Sequence, residues 1–192
     1  MPRRVLKLPM RAGRAAVPRN GILYPLDVLY AQVGIVPPVA RKTSPSRIPP
    51  PYHGLLAHEN EMTQTLERHV GGPVAIRVLS TSSAGQWYSR RVLVVQESSA
   101  RPVAMAAVRI RLDAFGARTR ARILRQTPLG RVLREGGVDY LSRPTAFFEV
   151  TPNAEMMGVF WMREARTLYG RQTQIMLGDA GVGDIVEILS LV

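Results

Sequence analysis

The chain has no cysteine in its 192 residues, which removes disulfides, cysteine-ligated zinc, iron–sulfur clusters and thiol nucleophiles at once. No uncharged apolar run approaches the roughly 18 residues that a membrane-crossing helix needs, so a soluble, cytoplasmic protein is expected. Histidine is scarce. His53, His58 and His69 fall within 17 residues of one another, none stands at motif spacing from a serine or acid, and all three read as surface or capping residues. The stretch His58-Glu59-Asn60-Glu61-Met62 starts like a zinc helix but puts Met62 where the second histidine must stand, so no metal site is expected. There is no Gly-x-Ser-x-Gly elbow and no phosphate loop. Gly178, Gly181 and Gly183 have the wrong order for a dinucleotide loop and precede a strand, which makes them turn glycines.

Acids are also few: 14 Asp and Glu against 26 Lys and Arg, a net charge of +12. Residues 1–60 carry nine of the basic side chains (Arg3, Arg4, Lys7, Arg11, Arg14, Arg19, Arg41, Lys42, Arg47) against Asp27 and Glu59, a net of +7. The first 20 residues are basic, acid-free and without serine, so they read as a disordered leader rather than a signal or transit peptide. Interleaved aromatics and a recognisable nucleic-acid module are lacking, and no specific nucleic-acid partner is expected. Arg109, Arg111, Arg118, Arg120, Arg122 and Arg125 read as a solvated face.

What is present suggests one domain behind an extension. Pro37-Pro38, Pro45 and Pro49-Pro50-Pro51 withhold backbone donors, so residues 37–52 read as a linker and residues 1–53 as a basic, Pro-rich extension. Within it, Ile22, Leu23, Leu26, Val28, Leu29, Val33, Ile35 and Val36 form an apolar patch long enough for a short helix that docks on the main domain or on a partner. Residues 54–192 have the pattern of a compact α+β unit. Asn60 is placed to cap a helix with Met62, Leu66 and Val70 on one face, stopped by Gly71-Gly72. Alternation predicts strands at 74–78, 90–95 and 108–112, with further candidates at 144–151, 156–164, 171–177 and 184–191. Helices are expected at 117–125 and after Pro128, the second ending at Gly136-Gly137. The layer solution is a single antiparallel sheet with helices gathered on one side.

Six segments occur in a telling order: Leu55-Leu56-Ala57-His58-Glu59-Asn60-Glu61-Met62-Thr63 followed by Leu66-Glu67, Tyr88-Ser89-Arg90-Arg91-Val92, Thr127-Pro128-Leu129-Gly130-Arg131-Val132-Leu133, Leu168-Tyr169-Gly170-Arg171, and Ile185-Val186-Glu187-Ile188-Leu189. Over about 135 residues, from Leu55 to Leu189, this set resembles the chorismate pyruvate-lyase family. The resemblance implies an antiparallel sheet with flap-like helical segments over an enclosed ligand pocket. It implies conversion of chorismate to 4-hydroxybenzoate and pyruvate, without cofactor, as a supply for quinone or other aromatic synthesis. By position it implies Met62, Arg90, Leu129 (through its backbone) and Glu187 as ligand-binding residues, with Arg90 and Glu187 catalytic. Arg171, in Tyr-Gly-Arg, is a further candidate. The sequence departs from the family's pattern in its long segment 1–54 and in Ser190, where a proline is usual. These departures leave room for a lyase that makes another hydroxybenzoate isomer.

The residue chemistry suits that substrate. Chorismate carries two carboxylates, and guanidinium forks take such groups bidentately; Arg90 and Arg171 would each hold one. Loss of pyruvate is downhill once the ring aromatises, so the protein mainly has to hold a reactive conformer and assist proton transfer. Glu187 shares a strand face with Ile185 and Leu189. Desolvation there would raise its pKa, and an arginine partner would lower it; the sequence leaves both open. The expected assembly is a monomer, with a dimer left open. A non-catalytic sensor domain of the same fold is the alternative.

Overall fold

The computed structural model describes residues 21–191; the basic leader expected at the N-terminus lies outside them. Seven strands form one sheet: β1 Val39–Thr43, β2 Val74–Ala84, β3 Trp87–Gln96, β4 Pro102–Arg111, β5 Leu141–Thr151, β6 Leu168–Leu177 and β7 Ala180–Leu189. The order is β1-β5-β6-β7-β4-β3-β2, and every neighbouring pair is antiparallel. β2 to β4 form a meander and β6 and β7 a hairpin; the long connection from β4 to β5 carries two α-helices.

Strand alternation builds two cores. On one face, Val92 and Val94 of β3, Ala104 and Ala106 of β4 and Leu189 of β7 meet Leu55 and Leu56 of α2 (Tyr52–Leu56) and Met62 and Leu66 of α3 (Met62–Val70). Further along that face, Val108, Ile110, Ile175 and Ile185 meet Ile123 of α4 (Ala117–Ile123) and Leu129, Val132 and Leu133 of α5 (Leu129–Glu135). The fold is therefore α+β, with α2 to α5 gathered over one face. The reverse face, carrying Leu93, Val95, Met105, Val186 and Ile188, is closed by Leu26, Leu29 and Tyr30 of α1 (Leu26–Gln32) and by Met156 and Phe160 at α6 (Ala154–Val159).

Three sequence expectations are corrected. Residues 37–52 are not a linker: Val39–Thr43 pairs with Phe147–Thr151 as an edge strand, and the apolar patch before it supplies α1 to the reverse-face core. The prolines flank β1 instead of interrupting it, the arrangement an edge strand tolerates, so a boundary at residues 53 and 54 does not divide fold from tail. Residues 156–164 are not a strand. Asn153 accepts a hydrogen bond from the Met156 amide at 2.9 Å and starts α6, and a short apolar run does not by periodicity distinguish strand from helix. The α3 N-cap position is Glu61, without a side-chain cap bond, rather than Asn60, whereas Gly71 ends the helix in the left-handed region as expected. Within the arginine run, Arg118, Arg120 and Arg125 are exposed. Arg109 instead lies over the Trp87 ring at 3.4 Å and approaches Asp184 at 3.6 Å.

Candidate ligand pocket

A pocket of about 80 Å³ lies between the sheet and the α3 and α5 helices, several times the roughly 10–15 Å³ that one water requires. Its floor is made of Val92, Ala104, Ala106 and Val108, with Met62, Leu66, Leu129 and Leu133 above. The space exists partly because β4 presents alanines at the middle of the sheet. The structure places Met62, Arg90, Leu129, Arg171 and Glu187 on this one lining.

Arg90 stands on β3 opposite Val108, whose other partner is Ile185, while Glu187 on β7 lies opposite Ala106. The two charged residues are therefore two strands apart, about 10 Å across the sheet, and one same-face step, about 7 Å, along it. Their side chains face the same pocket from separated positions, a spacing suited to a ring between two polar ends.

Arg90 is 2% exposed. Nη1 donates to the carbonyls of Ile123 (3.1 Å) and Arg125 (2.9 Å), and Nη2 to that of Thr127 (2.8 Å). The segment after α4 thus wraps the guanidinium with backbone oxygens. Burial pulls its pKa below the ordinary arginine value, with Tyr88 acting in the opposite sense, yet a guanidinium stays charged in proteins. No carboxylate among the described residues pairs with it. Of its five N–H donors, the Nε–H and one on Nη2 remain, which are neighbours in the fork.

Arg171 and Glu187 are arranged differently. The β6–β7 turn sits midway between them in sequence, so they face each other across the hairpin, and Arg171 Nε donates to Glu187 Oε2 at 2.8 Å. Nη1 of Arg171 donates to the carbonyls of Leu56 (3.2 Å) and His58 (2.7 Å), with the His58 ring Nδ1 at 3.4 Å. Arg171 is therefore tied to a carboxylate and to the end of α2, and only Nη2 is without a partner among the described residues. Gly170 of the Tyr-Gly-Arg segment has a packing reason: a Cβ there would stand 2.5 Å from both the Glu187 carbonyl and the Phe148 ring.

Three pocket-side groups escaped sequence reasoning. His58, read as surface or capping, leans on Arg171; burial and then the Arg171 charge lower its pKa. Tyr140 lines the wall, and its phenol is pushed up to about 12 by burial, then by the charges of Glu61 and Glu187. Glu61 lines the pocket beside Gly130. Only their place within the first family segment signalled the first and last; Tyr140 had no signal. No group of described residues has the composition of a metal site.

The sequence matches no protein-family model and no curated protein. Solved structures do match. PhnF from Mycobacterium smegmatis aligns at 10% identity over 70% of this chain and 65% of its own, with a TM-score of 0.50. A gene product of Staphylococcus aureus aligns at 5% identity over 70% and 90%, with a TM-score of 0.51. The fold is chorismate lyase-like. The ligand-binding domain of a Bordetella bronchiseptica protein described as a GntR-family transcriptional regulator aligns at 13% identity over 62% and 84%, with a TM-score of 0.47. This chain spans 65% of PhnF. Among the described residues no helix is long and apolar enough to cross a membrane.

Proposed function

We propose that this domain binds a small cyclic carboxylate in this pocket, with Arg90 taking the carboxylate. The observation that carries the reading is the buried guanidinium of Arg90, cradled by three carbonyls and without an acidic partner among the described residues. Burying a cation without a counter-ion is costly, and an anionic ligand using the two remaining donors recovers that cost. The first residues of α3 and α5, Met62 and Leu129, add N–H groups that have no acceptor within their helices, and apolar side chains on floor and roof suit a ring.

Within this reading, turnover of chorismate to 4-hydroxybenzoate and pyruvate is the narrower proposal. It is favoured by Glu187, which lies at the far side of the pocket with one oxygen on Arg171, where a carboxylate can exchange a proton with a ring hydroxyl. A sensor domain that binds without reacting needs Arg90 and has no such use for Glu187. Calorimetry with 4-hydroxybenzoate tests binding, and incubation with chorismate followed by identification of the aromatic product tests chemistry. For the lyase, Glu187→Gln lowers single-turnover rates by about 10²–10⁴-fold while weakening 4-hydroxybenzoate binding far less. Tight binding with no turnover by the native protein would establish the sensor reading.

A further inference from the structure

Outside the pocket, α4 breaks rules that a merely solvated helix obeys. Residues 117–125 read Ala-Arg-Thr-Arg-Ala-Arg-Ile-Leu-Arg, four arginines and no acid. Arg118 stands in the first turn, where the helix dipole disfavours a cation, and with Arg122 it makes a like-charge pair at i, i+4, which is destabilising. The acids that could relieve this charge are taken: Glu135 by Arg122, Asp113 by Arg111, Glu61 by Arg134 and Glu67 by Arg131. Arg118, Arg120 and Arg125 are exposed and enter no ion pair among the described residues. Local rules broken without a gain inside the fold are expected at functional surfaces.

The arginines are arranged around an apolar side chain. Ile123 is the buried residue of α4. Leu124, next to it, is 52% exposed, and at 3.6 residues per turn it shares the outward side with Ala117 and Ala121, both also exposed. On the same wheel Arg118 and Arg125 border one flank of Leu124 and Arg120 borders the other. A phosphate backbone would use the arginines and leave Leu124 in water. A second copy of this chain, itself at +12, would bring arginines against arginines. An acidic amphipathic helix supplies both complements: apolar side chains for Leu124 and carboxylates that guanidinium forks take bidentately. The backbone under this face is already fixed, because the carbonyls of Ile123, Arg125 and Thr127 all accept from Arg90, so docking has little ordering left to do there.

We infer that the outer face of α4 is a docking surface for an acidic amphipathic helix of a partner protein. Leu124 is the apolar anchor, Arg118 and Arg125 hold carboxylates on one side of it, and Arg120 holds them on the other. A face this short supports a transient contact, and exposed charges make that contact sensitive to salt. The inference stands apart from what the pocket binds.

The test is fluorescence anisotropy on the full chain with a labelled helical peptide of about 18 residues, carrying leucines at i, i+4, i+7 and i+11 flanked by glutamates. The native protein binds it. The double variant Arg118→Glu/Arg125→Glu weakens binding by at least about tenfold and Leu124→Gln by at least about threefold. The control Arg41→Glu/Arg143→Glu makes the same change of net charge at exposed positions on β1 and β5, and its affinity stays within about twofold of native. Peptides with glutamine in place of the glutamates, or in place of the leucines, bind the native chain at least about tenfold more weakly, a result that no variant's folding can affect. Equal losses in the two double variants overturn the inference, the peptide then following net charge alone. So does full binding of the leucine-free peptide, or full binding by Leu124→Gln, since the arginines would then serve any polyanion. Duplex DNA that binds tighter than the peptide and depends on Arg118 and Arg125 overturns it in favour of a nucleic-acid surface. Failure of the native protein to bind the peptide overturns it as well and leaves the pocket reading untouched.

Discussion

Arg90 and Arg91 are neighbours on β3, are almost equally buried at 2% and 3% exposure, and lie on opposite faces of the sheet. Arg91 is neutralised: Nη1 pairs with Glu155 of α6, Nε lies 3.4 Å from Ser80 Oγ, and the guanidinium sits 4.6 Å from the Tyr30 ring centroid. Burial, followed by the Glu155 charge, pushes the Tyr30 phenol well above its ordinary pKa, so this cluster is a dry tie between α1, α6 and the sheet. Among the described residues Arg90 has only backbone carbonyls as partners. Equal burial with unequal neutralisation separates a structural arginine from one kept for a ligand, and it marks the reverse face as scaffold and the α2–α5 face as site.

Removing the scaffold should have the largest effect. Deleting residues 21–50 takes Leu26, Leu29 and Tyr30 out of the reverse core and strips β1 from the sheet edge. At about 1.5–3 kcal/mol for each buried large side chain, the loss rivals the roughly 5–15 kcal/mol that stabilises a typical domain. The truncated chain should be insoluble or lack a cooperative melt; a soluble, cooperatively melting product would show that α1 and β1 are accessory.

The two arginines should then divide binding from stability. Arg90→Ala is expected to weaken carboxylate binding by about 2–5 kcal/mol, and Arg90→Lys to recover little of it, because an ammonium lacks the fork. Arg91→Ala strands Glu155 and should cost about 1–3 kcal/mol of stability, below the full buried-pair value because Glu155 is 22% exposed. Calorimetric affinities beside denaturant titrations check the split. The comparison fails if Arg91→Ala loses binding as severely as Arg90→Ala while remaining folded.

A smaller effect belongs to the reverse-face roof. The Asn153 side chain caps α6 through the Met156 amide and also donates to the Val36 carbonyl at 2.8 Å. Asn153→Ala should lower stability by about 1 kcal/mol with pocket affinity intact, as read by urea unfolding and calorimetry. A weakened pocket would mean that the two faces are coupled through the sheet.

The contrast also explains which features were legible. Alternation at Val92, Val94 and Val108 and the 3.6 period of Met62, Leu66 and Val70 are local, and they announced β3, β4 and α3. β1 was hidden because its strand is five residues long between prolines, and α6 because Met156, Val159 and Phe160 make a short apolar run with no distinct period. In the pocket, Met62, Arg90, Leu129 and Glu187 were reached through family resemblance rather than spacing. The carbonyls that hold Arg90 could not be anticipated, since every residue type has one and only the path of residues 123–127 aims them. Nor could the choice left open for Glu187, between a dry carboxyl and a paired one, be made before the β6–β7 register set Arg171 opposite it.

The smallest expected effect concerns His58, where the pocket face reaches its own scaffold. Its ring is held next to Arg171, and both burial and that charge favour the neutral form in the folded chain. An unfolded histidine titrates near 6.5. Between the lowered folded pKa and about 6.5 the unfolded chain binds more protons than the folded one, so stability rises with pH through this window. The contribution is complete above about 6.5, is lost as the solution is acidified, and levels off below the folded pKa. Thermal melts from pH 8 to pH 5 should show this as an acid-side decline that is shallower in His58→Asn, a substitution that leaves the backbone carbonyl on Arg171 in place. Equal declines in both proteins would mean that the imidazole protonates as readily in the fold as outside it, and that Arg171 is held by Glu187 and the two carbonyls without regard to the ring.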